Sequence, residues 1–315
     1  MNCNARDIDT NYNNVKPTCS NRWAFFLHLI MNKLKIAVQK SGRLNEQSLK
    51  LLKECGISLQ NGKDQLITTA SNFPIEVLYL RNGDIPKYLK DNVVDAAIIG
   101  ENTLIENEAE SLYQLPLGFA KCRFSLAIPK DVNFSSINEL NGKKIATSFP
   151  VTVKKFLLKE NIEAKIHEIS GSVEISPNIG LADAICDIVS TGSTLFKNGL
   201  KEVMTILNFE AVLAARDNLS AEKQGILDRL VFRIESVLRA QNTKYILLNC
   251  HKDNKDSICS LLPGVKSPTI VPLQTKDWYS IHSVILEDDF WNIIDQLRDK
   301  GAEDILIVPI EKIIK

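Results

Sequence analysis

From residue 34 onward, short continuous apolar runs alternate with stretches whose apolar positions recur every three or four residues. Leu34–Gln39 reads as a buried strand, and Leu44, Ser48, Leu51, Leu52 and Cys55 form a helical stripe that Gly56 terminates. The alternation repeats. Ile75–Leu80 leads into a helix over 85–89, the run 94–99 ends at Gly100, and 122–128 ends at Pro129. Beyond Asn141-Gly142 the pattern predicts a strand at 145–147, a helix over 151–160, a strand at 164–169 and another at Ala184–Val189. Strands alternating with helices in this way predict α/β structure with mostly parallel sheets. The natural packing is two lobes with a cleft between them.

The stretch 203–214 reads as extended structure returning the chain to the first lobe, and the helix 221–241 closes it with Ile226, Leu230, Ile234, Val237 and Leu238 on one stripe. The expected boundaries are therefore a first lobe over 31–120 and 203–241 and a second over 121–202. Residues 242–315 follow a different order: strand 245–250, helix 253–262 stopped by Pro263-Gly264, strands 269–273 and 281–286, helix 289–300 and strand 305–310. This βαββαβ order predicts a ferredoxin-like module. Residues 1–30, rich in asparagine with an apolar stretch at 23–30, read as an N-terminal extension before Met31.

Composition narrows the classes. Lysine plus arginine and aspartate plus glutamate balance at 38 each over 315 residues, so no global field draws the chain to nucleic acid or to an anionic membrane. No apolar run approaches the roughly 18 residues of a membrane span, and no secretory signal is visible. The seven cysteines are scattered and never in CxxC spacing, which fits a reducing cytoplasm and buried thiols. Cys250 and His251 are adjacent in a strand and so point to opposite faces.

Chemistry concentrates in one segment. The strand ending at Val189 delivers Ser190-Thr191-Gly192-Ser193-Thr194, four hydroxyls around one glycine, before the helix-compatible residues 195–197. Outward backbone N–H groups, a glycine allowing close approach and hydroxyl donors together suit a phosphate dianion. Asp183 and Asp187 lie just before the turn and can accept hydrogen bonds from sugar hydroxyls. A hydroxyl-rich surface turn with two solvated aspartates is the plain alternative. A second candidate is Gln39-Lys40-Ser41-Gly42-Arg43, whose two cations sit where ligands bind in open α/β sheets; a hydrated basic loop is its alternative. Asp95 begins a buried strand, and Glu101 ends it either near a ligand or as a helix cap. Neither GxxxxGK nor GxGxxG occurs.

In order, QKSGRL, VDAAIIGEN, CRFSLAIP, NGKKIATSFP, SGSVEISPNIGLADAICDIVSTGSTL, SPTIVPL and ILIVPIEKII resemble the ATP phosphoribosyltransferase family, in its long form, over residues 33–315. The resemblance implies two periplasmic-binding-protein-like catalytic lobes and a C-terminal ACT-like regulatory domain. It implies a magnesium-dependent reaction of ATP with phosphoribosyl pyrophosphate (PRPP), giving phosphoribosyl-ATP and pyrophosphate as the first step of histidine biosynthesis, with histidine as feedback inhibitor. Carried onto this chain, Asp183, Ala184, Asp187, Ser190, Thr191, Gly192, Ser193 and Thr194 become the PRPP site, with Asp183 and Asp187 catalytic beside the ribose. Glu174 is a further carboxylate beside the sugar or an ordinary surface residue. Lys40, Gly42, Arg43 and Asp95 fall on the ATP side. Asn249, Ser267 and Thr269 fall at the histidine site, where the family often has an acid in place of Asn249. A homo-oligomer, dimer to hexamer, follows from the same resemblance, and the magnesium ligands stay unassigned. A prephenate-dehydratase-like enzyme and a non-catalytic solute-binding protein are the rival readings; the first expects Thr-Arg-Phe where this chain has Cys122-Arg123-Phe124.

Overall fold

The computed structural model describes residues 33–60, 65–190, 192–262 and 267–314. The expected extension 1–30, Thr191 and the Pro263-Gly264 stop lie outside the described residues. Strand β1 (Leu34–Gln39) sends Leu34, Ile36 and Val38 into one core and Ala37 into another on the opposite face, which is why its sequence is apolar almost without interruption. Helix α1 (Arg43–Glu54) buries Ser48, Leu51 and Leu52 as its stripe predicts. It ends where Gly56 adopts φ +72° and donates its N–H to Lys53 O at 2.9 Å. The chain continues through β2 (Ile67–Thr69), β3 (Ile75–Leu80), α2 (Ile85–Lys90), β4 (Ala96–Gly100), α3 (Glu101–Glu106) and β5 (Tyr113–Pro116).

A second set follows: β6 (Cys122–Pro129), β7 (Lys144–Thr147), α4 (Pro150–Glu160), β8 (Lys165–Glu168), β9 (Ala184–Val189), α5 (Ser193–Lys197) and β10 (Leu200–Phe209). Pro150 sits in the first turn of α4, where its missing N–H costs nothing. The chain then returns through β11 (Ala211–Ala215) to α6 (Ala221–Ala240).

The sheets run β2-β3-β1-β4-β11-β5 and β10-β6-β9-β7-β8. Without β2 these are the same arrangement twice. A parallel trio (β3-β1-β4 and β8-β7-β9) is followed by an antiparallel strand (β11 and β6) that crosses from the other half of the chain. This is the two-lobed periplasmic-binding-protein-like architecture. The expected return near residue 203 is corrected: β10 pairs with β6 in the second sheet from Leu200 to Phe209, and the crossing falls at Glu210. No breaker residue interrupts 203–214, so the change of sheet left no mark in the pattern.

The last unit is β12 (Thr243–His251), α7 (Lys255–Cys259), β13 (Thr269–Pro272), β14 (Trp278–Leu286), α8 (Glu287–Asp299) and β15 (Glu303–Pro309). Its sheet, β13-β14-β12-β15, is antiparallel throughout, the ferredoxin-like order that its βαββαβ sequence predicts. Both helices pack on one face, over Ile246, Leu248, Cys250 and Ile281. The other face leaves Leu306 57% and Val308 48% exposed.

One ion cluster ties the first lobe together. Asp95 is 1% exposed; its carboxylate accepts from Lys35 N at 2.9 Å, from Arg216 Nη2 at 2.8 Å and from Lys223 Nζ at 2.7 Å. Burial alone would raise its pKa. Hydrogen bonds from Lys223, the Lys35 amide and Arg216 outweigh that and hold the carboxyl below its ordinary value. Because the folded pKa is depressed, this stabilisation is present above the unfolded pKa of about 3.9 and is lost as pH falls through the folded value. Asp95→Asn should therefore cost about 3 kcal/mol at pH 7, since it leaves two cations facing a neutral amide. Urea unfolding should show the gap closing in acid.

Candidate functional site

Ligands bind in open α/β sheets outside the carboxyl ends of the strands, where strand order reverses. In the first sheet that point lies between β1 and β4, and in the second between β7 and β9. Both candidate turns occupy these positions. Lys40, Gly42 and Arg43 follow β1, and Ser190 to Thr194 follow β9. The β1–β4 register pairs Val38 with Ile98, which puts Lys40 level with Gly100 and next to Glu101. Lys40 donates its backbone N–H to Leu80 O at 2.7 Å, and Arg81 follows β3 at the same edge. Sequence reasoning missed Arg81; a cation directly after a buried strand was the available signal.

The two edges meet across a cleft of about 440 Å³ lined by Glu101 from the first lobe, Lys121, Arg123 and Ser190 from the second, and Asn208 and Glu210 at the crossing. Burial and the nearby Glu210 raise the Glu101 pKa. Glu210 also holds the crossing, accepting the Gly118 N–H at 2.7 Å while its own carbonyl accepts from Glu101 N at 3.0 Å. Glu101 thus belongs to the cleft wall as the first residue of α3, whose cap position is Gly100, so it is not the helix cap.

The lobes also touch away from the crossing. Glu106 of α3 accepts from Val151 N at 2.9 Å, Thr152 N at 3.0 Å and Thr152 Oγ1 at 2.8 Å, so a first-lobe carboxylate caps the second-lobe helix α4. Ile105 beside it packs into the second lobe's core, and Lys155 pairs with Glu110. Helix caps are usually read within a few residues of the helix; this one lies 45 residues away and has no local signature.

Around the hydroxyl-rich turn, Gly192 adopts φ +76°, the left-handed conformation that favours glycine, and starts α5. The amides of Thr194 and Leu195 lie in the first turn, where a helix offers no intrahelical acceptor. Asp187 stands on the sheet face shared by Ile185 and Val189. Burial pushes its pKa up to about 6, opposed by the Ile188 N–H at 2.7 Å and reinforced by Glu174. Asp187 and Glu174 are thus close enough to feel each other's charge.

Three assigned residues lie elsewhere. Asp183 precedes β9 and Ser190 follows it, so the strand separates them by roughly 20 Å. Its carboxylate accepts from Lys144 N at 2.8 Å at the start of β7. Ala184 is 1% exposed at the same remote end. Asp95 is the counterpart of Asp183 in the first lobe: each Asp-Ala opens a parallel strand, donates its N–H to the neighbouring strand and accepts that strand's N–H in return. The placing of Asp183 and Ala184 beside the ribose, and of Asp95 on the nucleotide side, is therefore corrected. These residues pin the amino ends of strands whose carboxyl ends form the site.

In the C-terminal unit, Asn249 Nδ2 donates to Asp304 Oδ2 at 3.1 Å. Thr269 is exposed on β13 opposite His282, whose ring nitrogens engage Tyr245 Oη at 2.7 Å and Ser280 Oγ at 3.1 Å. Ser267 is exposed just before β13. Cys250 is buried and His251 half-exposed, on opposite faces as expected. Among the described residues no group of three or more His, Cys, Asp or Glu side chains could hold a metal by itself, and no helix is long and apolar enough to cross a membrane.

The ATP phosphoribosyltransferase family model matches residues 81–236, and the model of that family's C-terminal domain matches 240–312. An ATP phosphoribosyltransferase of Cytophaga hutchinsonii is 54% identical over 282 residues, spanning 90% of this chain and 99% of that one. This chain belongs to the ATP phosphoribosyltransferase family. A phosphoribosyltransferase of Bacteroides thetaiotaomicron is 50% identical over 281 residues, 89% of this chain and 99% of that one. Among solved structures, the Thermotoga maritima ATP phosphoribosyltransferase, in a complex of HisG and HisZ, aligns with a TM-score of 0.55 at 28% identity. The alignment covers 64% of this chain and 98% of that one. The family is one of pentosyltransferases, so the chain is a transferase and neither rival class is needed.

Asp187 supplies a stability test of its half-buried position. A carboxyl whose folded pKa stands at about 6, above an unfolded value of about 3.9, destabilises the fold increasingly as pH rises through that window. Asp187→Asn should raise stability at pH 7 by about 1–2 kcal/mol, and the gain should vanish below about pH 4. Thermal unfolding across pH reads this directly.

Proposed function

We propose that the chain transfers the 5-phosphoribosyl group of PRPP to N1 of ATP, with magnesium, releasing pyrophosphate and opening histidine biosynthesis. One observation carries the reading: a basic turn and a hydroxyl-rich turn occupy the switch points of the two lobes, and their strand edges border one cleft. An acceptor nucleotide on one side and the sugar phosphate that donates the group on the other would meet there.

The bond formed joins adenine N1 to the anomeric carbon. The bond broken is that carbon's link to pyrophosphate, which leaves with the electron pair. Such a displacement passes through a cation-like sugar and needs alignment and charge stabilisation more than a protein nucleophile. Ser190, Ser193 and Thr194, with the amides around Gly192, hold the 5-phosphate. Asp187, on the face below the turn, supplies negative charge to the ribose. Lys40, Arg43 and Arg81, after the strands of the first sheet, would neutralise the phosphates of the nucleotide, and Gly42 would let a phosphate approach the backbone.

The oxygen donors fit a hard divalent cation. Asp187 accepts the Ile188 N–H, and Glu174 stands within its field. Magnesium keeps several waters and takes one or two carboxylates together with substrate phosphates, so a sparse protein ligand set suits it. Asp187 and Glu174 would hold it, and its chemistry would be to cover the charge of the diphosphate.

Histidine as a feedback inhibitor is assigned to the C-terminal unit, around Asn249, Ser267 and Thr269. Asp304, hydrogen-bonded to Asn249, provides the acid for the effector's amino group that position 249 itself lacks. The effector would sit between C-terminal units of neighbouring copies in a homo-oligomer.

The purified chain with ATP, PRPP, magnesium and a pyrophosphatase should generate the N1-substituted adenine chromophore. Asp187→Asn should lower kcat by about a hundredfold or more, while Asp183→Asn should alter stability and leave kcat within about twofold. Wild-type protein without turnover, or equal losses in the two variants, overturns the reading. Saturating histidine should inhibit the wild-type enzyme, and unchanged turnover removes the effector assignment.

A further inference from the structure

Arg123 lies in β6 opposite Val189, the last residue of β9, so its side chain starts beneath the hydroxyl-rich turn. Its guanidinium is engaged on two sides. Nη1 donates to the Ser190 carbonyl at 3.1 Å, and Nη2 lies 3.8 Å from the place a Cβ on Gly192 would occupy. The opposite edge forms a fork on Glu202, Nε to Oε1 and Nη2 to Oε2, both at 2.6 Å.

Glu202 is itself held. Its carboxylate also accepts from Ser125 Oγ at 2.7 Å and Thr205 Oγ1 at 3.3 Å, and the β10 register shifts between Glu202 and Met204. The Arg123 hydrogen bond dominates in lowering the Glu202 pKa to about 2, against burial and with help from Ser125. At 32% and 23% exposure this pair contributes little to global stability, because exposed pairs are screened and cost side-chain entropy. What a two-pronged Arg–carboxylate contact supplies is direction. One guanidinium therefore holds the Ser190 carbonyl, at the end of β9, and lies against Gly192, where the turn enters α5.

We propose that Arg123, locked by Glu202, is the positioning residue of the phosphate turn, holding in place the Ser190 carbonyl where the turn leaves β9 and the backbone at Gly192 where it enters α5. The proposal rests on the PRPP reading of that turn. Arg123 acts on the turn's backbone, and its loss affects the sugar-phosphate substrate selectively.

The test is steady-state kinetics of full-length Arg123→Ala, Arg123→Lys and Glu202→Gln, varying PRPP and ATP separately, with circular dichroism to confirm folding. Arg123→Ala should raise the KM for PRPP by about tenfold or more while the KM for ATP stays within about twofold. Glu202→Gln, which removes only the charge, should shift the PRPP KM the same way by about threefold or more. Arg123→Lys should not restore wild-type values, because an ammonium cannot hold a carboxylate fork and a carbonyl in one plane. If Arg123→Ala does not fold, the near-isosteric Glu202→Gln decides. An Arg123→Lys enzyme equal to wild type, or losses shared equally by both substrates, overturns the proposal. Failure of the underlying activity reading shows separately, as wild-type protein that does not turn over the two substrates.

Discussion

A carboxylate placed just before a parallel strand anchors each catalytic lobe. Asp95 and Asp183 exchange backbone contacts with the neighbouring strand in the same way, Asp95 with Lys35 and Asp183 with Lys144. The first of these is also the point at which the returning chain is secured, since Arg216 follows β11 and Lys223 lies in the first turn of α6. A buried charge is tolerable only when paired and hydrogen-bonded, so the strand start, the crossing and the closing helix are committed to one geometry. With the amino ends of β4 and β9 pinned, their carboxyl ends are fixed by strand length alone.

That constraint explains why the site lies where it does. In each lobe the middle strand of the parallel trio is followed by a connection to one side and then by a crossing to the other, which opens a crevice at the carboxyl edge. The first lobe places the cations Lys40, Arg43 and Arg81 after its parallel strands, and the second places hydroxyls and a left-handed glycine there. Two similar halves therefore present chemically different rims to one cleft. The C-terminal unit takes no part in that rim; its helices cover a single sheet face and leave an apolar strip on the other.

Much of this was legible in the residues. The period of the apolar positions marked β1, α1, β3, β9, α6 and the whole βαββαβ module, because each buries a full face or stripe. The turn at 190–194 stood out because hydroxyls and glycine directly after an apolar strand are a local signal. What failed was long-range. Asp95 and Asp183 were read as ligand groups although Asp95 opens a strand, because only the strand order shows that the crevice lies at the opposite, carboxyl edge. β2 and β5 escaped notice because short edge strands are half exposed, with Ile67 53% and Tyr113 40% open. Strand β10 was assigned to the wrong sheet because one extended stretch serves two partners in turn. Glu106 carries no local signature beyond its charge, and Arg81 none beyond its place directly after a buried strand.

The cap that Glu106 lends to α4 gives the cleft a threshold. Parting the lobes strips two amides and a hydroxyl of their common acceptor and draws Ile105 out of a packed interior. Short-range contacts of this kind do not stretch gradually. The cleft therefore cannot open at this point without leaving the first turn of α4 uncapped.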